Sequence, residues 1–371
     1  MPVRLRLSIH NIVYTTLLLM NFAKVRSLSS STRNSMTMNN NNSNLKTSAK
    51  SLTISWFRQD LRLHDNPQLN AAVQQSNRAT KNDVSKGIVP VYCFDPRFIG
   101  GDKYTKLGSQ KCGVLRAKFI LESVEDLRKN LEKNGSGLVV ACGKAEDIFG
   151  TMCKSIDTEV MNQNNGNGDG DGVGIEPHVL VQEEPCSEEA RVDKAVKRSV
   201  KTFKSGASGS FESVWGASLY DIDDLPYAEG FNGIPDTFTP FRNKVEKNCK
   251  IPPPRPIPTK ASIALPKNSA VLSVLSGESE NYSIENCSLS YMPSLKDLGY
   301  TQDEIDFAEN PTTKGVMKFE GGETAGLRRV QDYIFDKDLL KIYFDTRNGM
   351  LGGDYSTKFS PWLALGCISP R

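Results

Sequence analysis

The sequence predicts an α/β fold, a parallel sheet followed by the beginning of an all-helical region. Three observations predict it. Short β-branched and aromatic runs alternate with amphipathic helical stretches from Ser51 to Trp215. A Pro/Ser-rich stretch of little periodicity, 251–290, interrupts that alternation. Beyond Gly322 the pattern is helical.

Ser51–Phe57 (Ser-Leu-Thr-Ile-Ser-Trp-Phe) reads as a buried strand. A turn follows, and Pro67 suits the first position of a helix running to about Gln75. Ile88–Phe94 is a second strand. Gly113–Asn134 is a long amphipathic helix, with Leu115, Phe119, Val124, Leu127 and Leu131 near helical spacing. Leu138–Cys142 is a third strand, Ala145–Ser155 a helix and His178–Val181 a fourth strand. Cys186–Lys204 reads as a helix and Phe211–Trp215 as a fifth strand. Asn162–Gly174, rich in Asn, Gly and Asp, is expected as a surface loop. Its partial match to a calcium loop (Asn165, Asn167, Asp169, Gly170, Glu176) lacks the leading Asp and the exiting helix, and is read as chance. Helices are expected over Ala325–Phe335 and Leu339–Phe344.

The chain has 371 residues with 46 Lys+Arg and 43 Asp+Glu. Seven of the basic residues, and no acid, lie in residues 1–50, so residues 51–371 hold 39 bases against 43 acids. Such a body is no dedicated nucleic-acid neutraliser. No apolar run reaches the roughly 18–20 residues of a membrane span. Residues 1–50, basic and rich in Ser, Thr and Asn, read as an organellar targeting leader, for a plastid ahead of a mitochondrion. The eight cysteines show no Cys-x-x-Cys spacing and there are three histidines. Reduced structural thiols and no metal site are therefore expected.

Two constellations carry chemistry. In the first strand-to-helix turn the Gly-x-Gly-x-x-Gly of dinucleotide folds is missing. Arg58, Asp60 and Arg62 stand there instead, at a spacing that allows mutual ion pairing in a buried or inter-domain cluster. The second is Tyr343-x-x-x-Arg347 followed by Tyr355-Ser356-Thr357-Lys358-Phe359-Ser360-Pro361. Hydroxyls, Lys358, free N–H groups and a helix that Pro361 can open make an anion site; the alternative is an ordinary Ser-Pro helix cap.

Ser51–Asn66, Gln182–Glu189, Val214–Tyr220, Phe238–Arg242, Gly321-Gly322-Glu323 and Thr346–Pro370, in that order, resemble the cryptochrome/photolyase family, most closely its DASH-type branch. The resemblance implies an α/β domain carrying an antenna pigment, often methenyltetrahydrofolate, and a helical domain holding FAD. It divides the chain into a leader (1–50), the α/β antenna domain (51–225), a linker (226–290) and an incomplete helical FAD domain (291–371). By position, Tyr343 and the stretch Ser356, Thr357, Lys358, Phe359 and Ser360 would hold the FAD, the latter at its diphosphate. Arg347 is left open between ligand contact and acid pairing. The implied activity is light-driven repair of cyclobutane pyrimidine dimers, mainly in single-stranded DNA, by a monomer. The alternative is a blue-light photoreceptor without catalysis. A stand-alone nucleotide-binding module at 51–220 is disfavoured by the missing phosphate loop. The chain itself is expected to be a fragment, holding FAD weakly and exposing Leu327, Ile334, Leu339, Trp362 and Leu365.

Overall fold

Every residue from Thr53 to Phe57 in the first strand is buried, and its side chains alternate between two apolar layers. A strand covered on both faces belongs at the centre of a sheet. The computed structural model describes residues 50–78, 86–101, 104–165, 174–228, 231–279, 285–310, 315–349 and 352–371. Residues 1–49 of the expected leader and most of the expected loop at 162–174 lie outside them, while Lys50, expected as the leader's last residue, already pairs in the sheet.

Five parallel strands form the sheet: β1 (Lys50–Phe57), β2 (Ile88–Phe94), β3 (Val139–Cys142), β4 (Ile175–Gln182) and β5 (Ser210–Val214). A two-residue strand, β6 (Cys287–Ser288), adds antiparallel to β3, giving the order β5-β4-β1-β2-β3-β6. The chain thus starts in the middle, builds outward through β2 and β3, and returns to the other side of β1. Helices α1 (Pro67–Arg78) and α2 (Val114–Lys133) cover one face, while α3 (Ala145–Asn165) and α4 (Ser187–Ser199) cover the other. This is the doubly wound arrangement of crossover connections. The strand prolines fit it. Pro90 and Pro177 each stand one residue before pairing on the strand's second side begins, at Val91 with Val139 and at His178 with Ser210.

Several expectations need correction. Ala145–Asn165 is ten residues longer than expected and enters the stretch read as a loop. Glu176, the last position of the calcium-loop match, lies in β4. The helix expected to reach Lys204 ends at Ser199, because Val200 and Phe203 turn back into the sheet core. The stretch expected as a linker contains α5 (Phe238–Asn248) and α6 (Ser269–Ser276). Of these, α6 is anchored in the sheet core by Val271, Val274 and Leu275, and β6 extends the sheet itself.

The C-terminal region comprises α7 (Gln302–Glu309), α8 (Glu323–Val330), α9 (Tyr343–Thr346) and α10 (Ser360–Ala364). Thr301 opens α7 with a capping box shared with Glu304. The helix expected over 325–335 changes to π geometry at Gln331–Asp336, and Leu339–Ile342 is a 3₁₀ turn. This region shares its core with the α/β layer. Trp362 and Leu365 are 2% and 4% exposed, packed among α2 residues, so the exposure expected for them is overturned. Trp362 stands edge-on to Phe119 with centroids 6.0 Å apart, and its Nε1 donates to the Glu320 carbonyl at 2.9 Å. Leu327, by contrast, is 41% exposed.

The turn after β1 makes the polar half of this junction. Leu61 N donates to Leu365 O, and Arg62 Nη1 to Gly366 O. Leu63 N and His64 N both donate to the Glu323 carboxylate at 3.0 Å. Asp65 accepts from Arg371 Nε at 2.8 Å and from the Ser369 hydroxyl, with the two ion-pair side chains 0% and 4% exposed. Gly366, at φ +62°, is required here, because a Cβ would lie 2.0 Å from Gln59 O. Asp60 accepts from Arg58 N, while the Arg58 guanidinium bonds to Asp193 and that of Arg62 to Gly366 O, so the buried, inter-domain cluster expected here forms without a direct side-chain ion pair among the three.

Burial alone would raise the Asp65 carboxyl; hydrogen bonds from Arg255 N, Ser369 and Arg371 outweigh it and hold the group below the usual carboxylate range. Its stabilising contribution is present above the unfolded carboxylate pKa and lost as pH falls through the depressed folded value. Asp65→Ala, which strands a buried guanidinium, is expected to lower the unfolding free energy by about 3–5 kcal/mol in urea titrations and to flatten the acid limb of the stability profile.

Candidate functional site

Ser356–Ser360 forms a bend that ends where Pro361 enters the first turn of α10. Lys358 takes a left-handed φ of +58°, and Phe359 follows in the right-handed helical region. Such a pair of opposite hand turns successive N–H groups toward one concavity. Among the described residues, the N–H groups of Thr357, Lys358, Phe359 and Ser360 and the hydroxyls of Ser356, Thr357 and Ser360 make no hydrogen bond. These free donors are what an anionic ligand needs. The expected helix-end contribution is smaller than the sequence implied, because α10 has five residues and a correspondingly small dipole. Lys358 Nζ rests 3.3 Å from the Tyr355 ring centroid, a cation–π contact that keeps its charge at this bend.

Tyr343 begins α9 and is half-buried. Tyr333 is fully buried and packs edge-on to Phe359 of the bend, with centroids 6.1 Å apart. Burial raises the Tyr333 hydroxyl, so it stays a neutral donor. The geometry therefore sets Phe359 of the bend against a buried ring. Arg347 lies across Phe344, 4.9 Å from the ring centroid, and its buried Nε has no partner. The acid pairing left open for it is not seen among the described residues.

Arg329 has no distinctive setting in the sequence and was not anticipated. Its side chain is 8% exposed, over the Tyr333 ring, and bonds to the carbonyls of Gly353, Ser356 and Thr357. It also pairs with Asp332 at 2.8 Å and Asp354 at 3.1 Å. Lys337 bridges the same two carboxylates, and its hydrogen bond draws the Asp354 carboxyl below its ordinary value.

A second polar cluster closes the carboxyl ends of β1 and β4, the switch point where doubly wound sheets place ligands. Arg58 donates to Asp193 at 2.8 Å and to Gln182 O at 2.7 Å, and lies 4.7 Å from the Trp56 ring centroid. Burial pushes the neighbouring Glu184 carboxyl up to about 7, despite Arg58 and a hydrogen bond from Gln182. Among the described residues no group of three or more His, Cys, Asp or Glu is arranged to hold a metal, and all eight cysteines are free.

The sequence model of DNA photolyase matches residues 53–166 and 176–260, more than half of the chain. The chain belongs to the DNA photolyase family. It is similar to the cryptochrome DASH of Ostreococcus tauri, at 38% identity over 331 residues, covering 86% of this chain and 53% of the relative. The Arabidopsis thaliana cryptochrome DASH is 38% identical over 331 residues, with 89% and 47% covered. The crystal structure of the Synechocystis cryptochrome superposes with a TM-score of 0.64 at 32% identity, over 88% of this chain and 55% of that one. The chain spans about half the length of the curated relatives it matches. The α/β photolyase-like fold and the DASH-type resemblance read from the sequence are thereby supported.

Glu184 gives this region a measurable signature. A carboxyl whose folded pKa is raised stabilises the fold fully below its unfolded value near 4.3 and ceases to as pH rises through about 7. Glu184→Gln is therefore expected to gain stability relative to the unaltered chain across that interval, on the order of 1–3 kcal/mol by pH 8, in urea titrations at stepped pH.

Proposed function

We propose that this chain is part of a blue-light-absorbing flavoprotein that holds FAD, with the bend Ser356–Ser360 receiving the diphosphate and Tyr343 closing one side. The observation that carries this reading is the set of free hydroxyls and N–H groups concentrated on that bend within a chain of the DNA photolyase family. The residues fit the group: the donors number enough for a diphosphate, Lys358 adds positive charge, and acids near the bend are already engaged by Arg329 and Lys337. Ser356 and Thr357 hydroxyls would bind phosphate oxygens, and Lys358 would neutralise them. Tyr343 and the buried Tyr333 would limit water on the inner side. Reduced FAD, when bound, supplies the photoexcited electron that splits a cyclobutane pyrimidine dimer.

In the whole protein the activity is repair of such dimers, mainly in single-stranded DNA, where a lesion base is flipped at lowest cost. A folate-type antenna, methenyltetrahydrofolate, is assigned to the α/β part on the resemblance alone, as is the monomeric state. The relatives from Ostreococcus tauri, Solanum lycopersicum and Arabidopsis thaliana carry the name chloroplastic/mitochondrial. That naming, with the basic, acid-free residues 1–50, supports a plastid, with the mitochondrion second. No helix among the described residues is long and apolar enough to cross a membrane.

Two measurements test the reading. A reduced, FAD-loaded protein of the relatives' full length that includes this chain should remove dimers from single-stranded DNA under blue light. Intact dimers together with efficient flavin photoreduction would assign it to signalling instead. For the 371-residue chain itself, the contacts assigned to FAD amount to one phosphate-type site, so the affinity should be near millimolar, about −4 kcal/mol. A yellow preparation with stoichiometric flavin after gel filtration would contradict this. Phe335 and Phe344, 66% and 63% exposed, should also make this preparation self-associate in light scattering as concentration rises.

A further inference from the structure

Arg329 bonds to three backbone carbonyls of one loop, those of Gly353, Ser356 and Thr357, at 2.9, 3.4 and 3.2 Å. A surface arginine gains little by such contacts, but this one is 8% exposed on its side chain and is held from behind by Asp332, Asp354 and the Tyr333 ring. In a trans peptide the carbonyl and the following N–H point in opposite directions, and the plane joining them is rigid. Drawing Ser356 O and Thr357 O inward onto the guanidinium therefore turns Thr357 N–H and Lys358 N–H outward. Those two groups are among the free donors of the bend. The planar fork can fix several carbonyls at once, which an ammonium cannot reproduce.

We propose that Arg329 is the positioning residue of the anion site: by capturing the carbonyls of Ser356 and Thr357, it presents the N–H groups of Thr357 and Lys358 to a ligand diphosphate. The inference rests on the reading of Ser356–Ser360 as the diphosphate site. Arg329 itself touches no ligand in this arrangement. It acts through the orientation of two peptide planes, while Asp332, Asp354 and Lys337 balance its charge.

The test titrates the full 371-residue chain into FAD, and separately into riboflavin, which lacks the diphosphate, following fluorescence anisotropy. Arg329→Lys and Arg329→Met are compared with the unaltered chain, with thermal midpoints recorded for all three. FAD should bind about tenfold more weakly to both variants, the equivalent of one lost charge-assisted hydrogen bond, while riboflavin binding stays unchanged. FAD affinity retained in Arg329→Lys, or equal losses for FAD and riboflavin, would overturn the proposal and leave the diphosphate reading standing. An unaltered chain that binds FAD no better than riboflavin would remove the diphosphate reading and this inference with it. Should neither variant fold, amide exchange in the unaltered chain decides: inorganic pyrophosphate should slow exchange at Thr357 and Lys358, and unchanged exchange there overturns the proposal.

Discussion

The structure depends on the turn after β1 being bonded to the end of the chain. In dinucleotide-binding sheets that turn is left open, with glycines bringing the backbone against a pyrophosphate. Here Leu61, Arg62, Leu63, His64 and Asp65 are all engaged by residues from Glu323 and from Leu365–Arg371. The buried ion pair of Asp65 and Arg371 is affordable because Arg255 N and Ser369 satisfy further carboxylate positions. Removing one partner of such a buried pair costs far more than replacing both.

That junction explains why the C-terminal region has order without a core of its own. Its helices are short, of four to eight residues. They borrow the face of α2 instead. Trp362, Leu365 and Ile368 enter the same apolar cluster as Phe119, Ile120 and Leu127. Close approach is needed for this: Gly326 lies so near Trp362 and Ile368 that a Cβ would meet side-chain carbon at 2.7 Å. The apolar residues that do not reach α2, among them Leu327, Phe335, Ile342 and Phe344, remain exposed.

Electrostatics separates the two polar clusters. At the sheet end, acids outnumber bases around Arg58, and burial raises both Glu184 and Asp193. Burial thus disfavours the charged form of these two carboxyls. Around the bend at Ser356, Asp332 and Asp354 are paired with Arg329 and Lys337.

The order of strands and helices through Trp215 was legible because each element carries a local signature: Leu52–Phe57 and Ile88–Phe94 are rich in β-branched and aromatic residues, and the α2 residues recur at helical spacing. The bend at Ser356–Ser360 was legible too, since hydroxyls before a Ser-Pro step have a local reason to gather. Residues 269–276 and Cys287 were not, because a short helix after prolines has no distinctive period until α3 and β3 offer a surface to cover. Asp60 and Arg62 look like partners in sequence, yet the Arg62 guanidinium donates to Gly366 O, more than three hundred residues on, while Asp60 accepts from Arg58 N. Arg329 is an unremarkable helix residue until Gly353, Ser356 and Thr357 fold over it. Local composition by itself determined which elements form and where donors cluster. Only the tertiary structure decided which charges meet and which carbonyls turn inward, because those depend on distances between segments that no local pattern encodes.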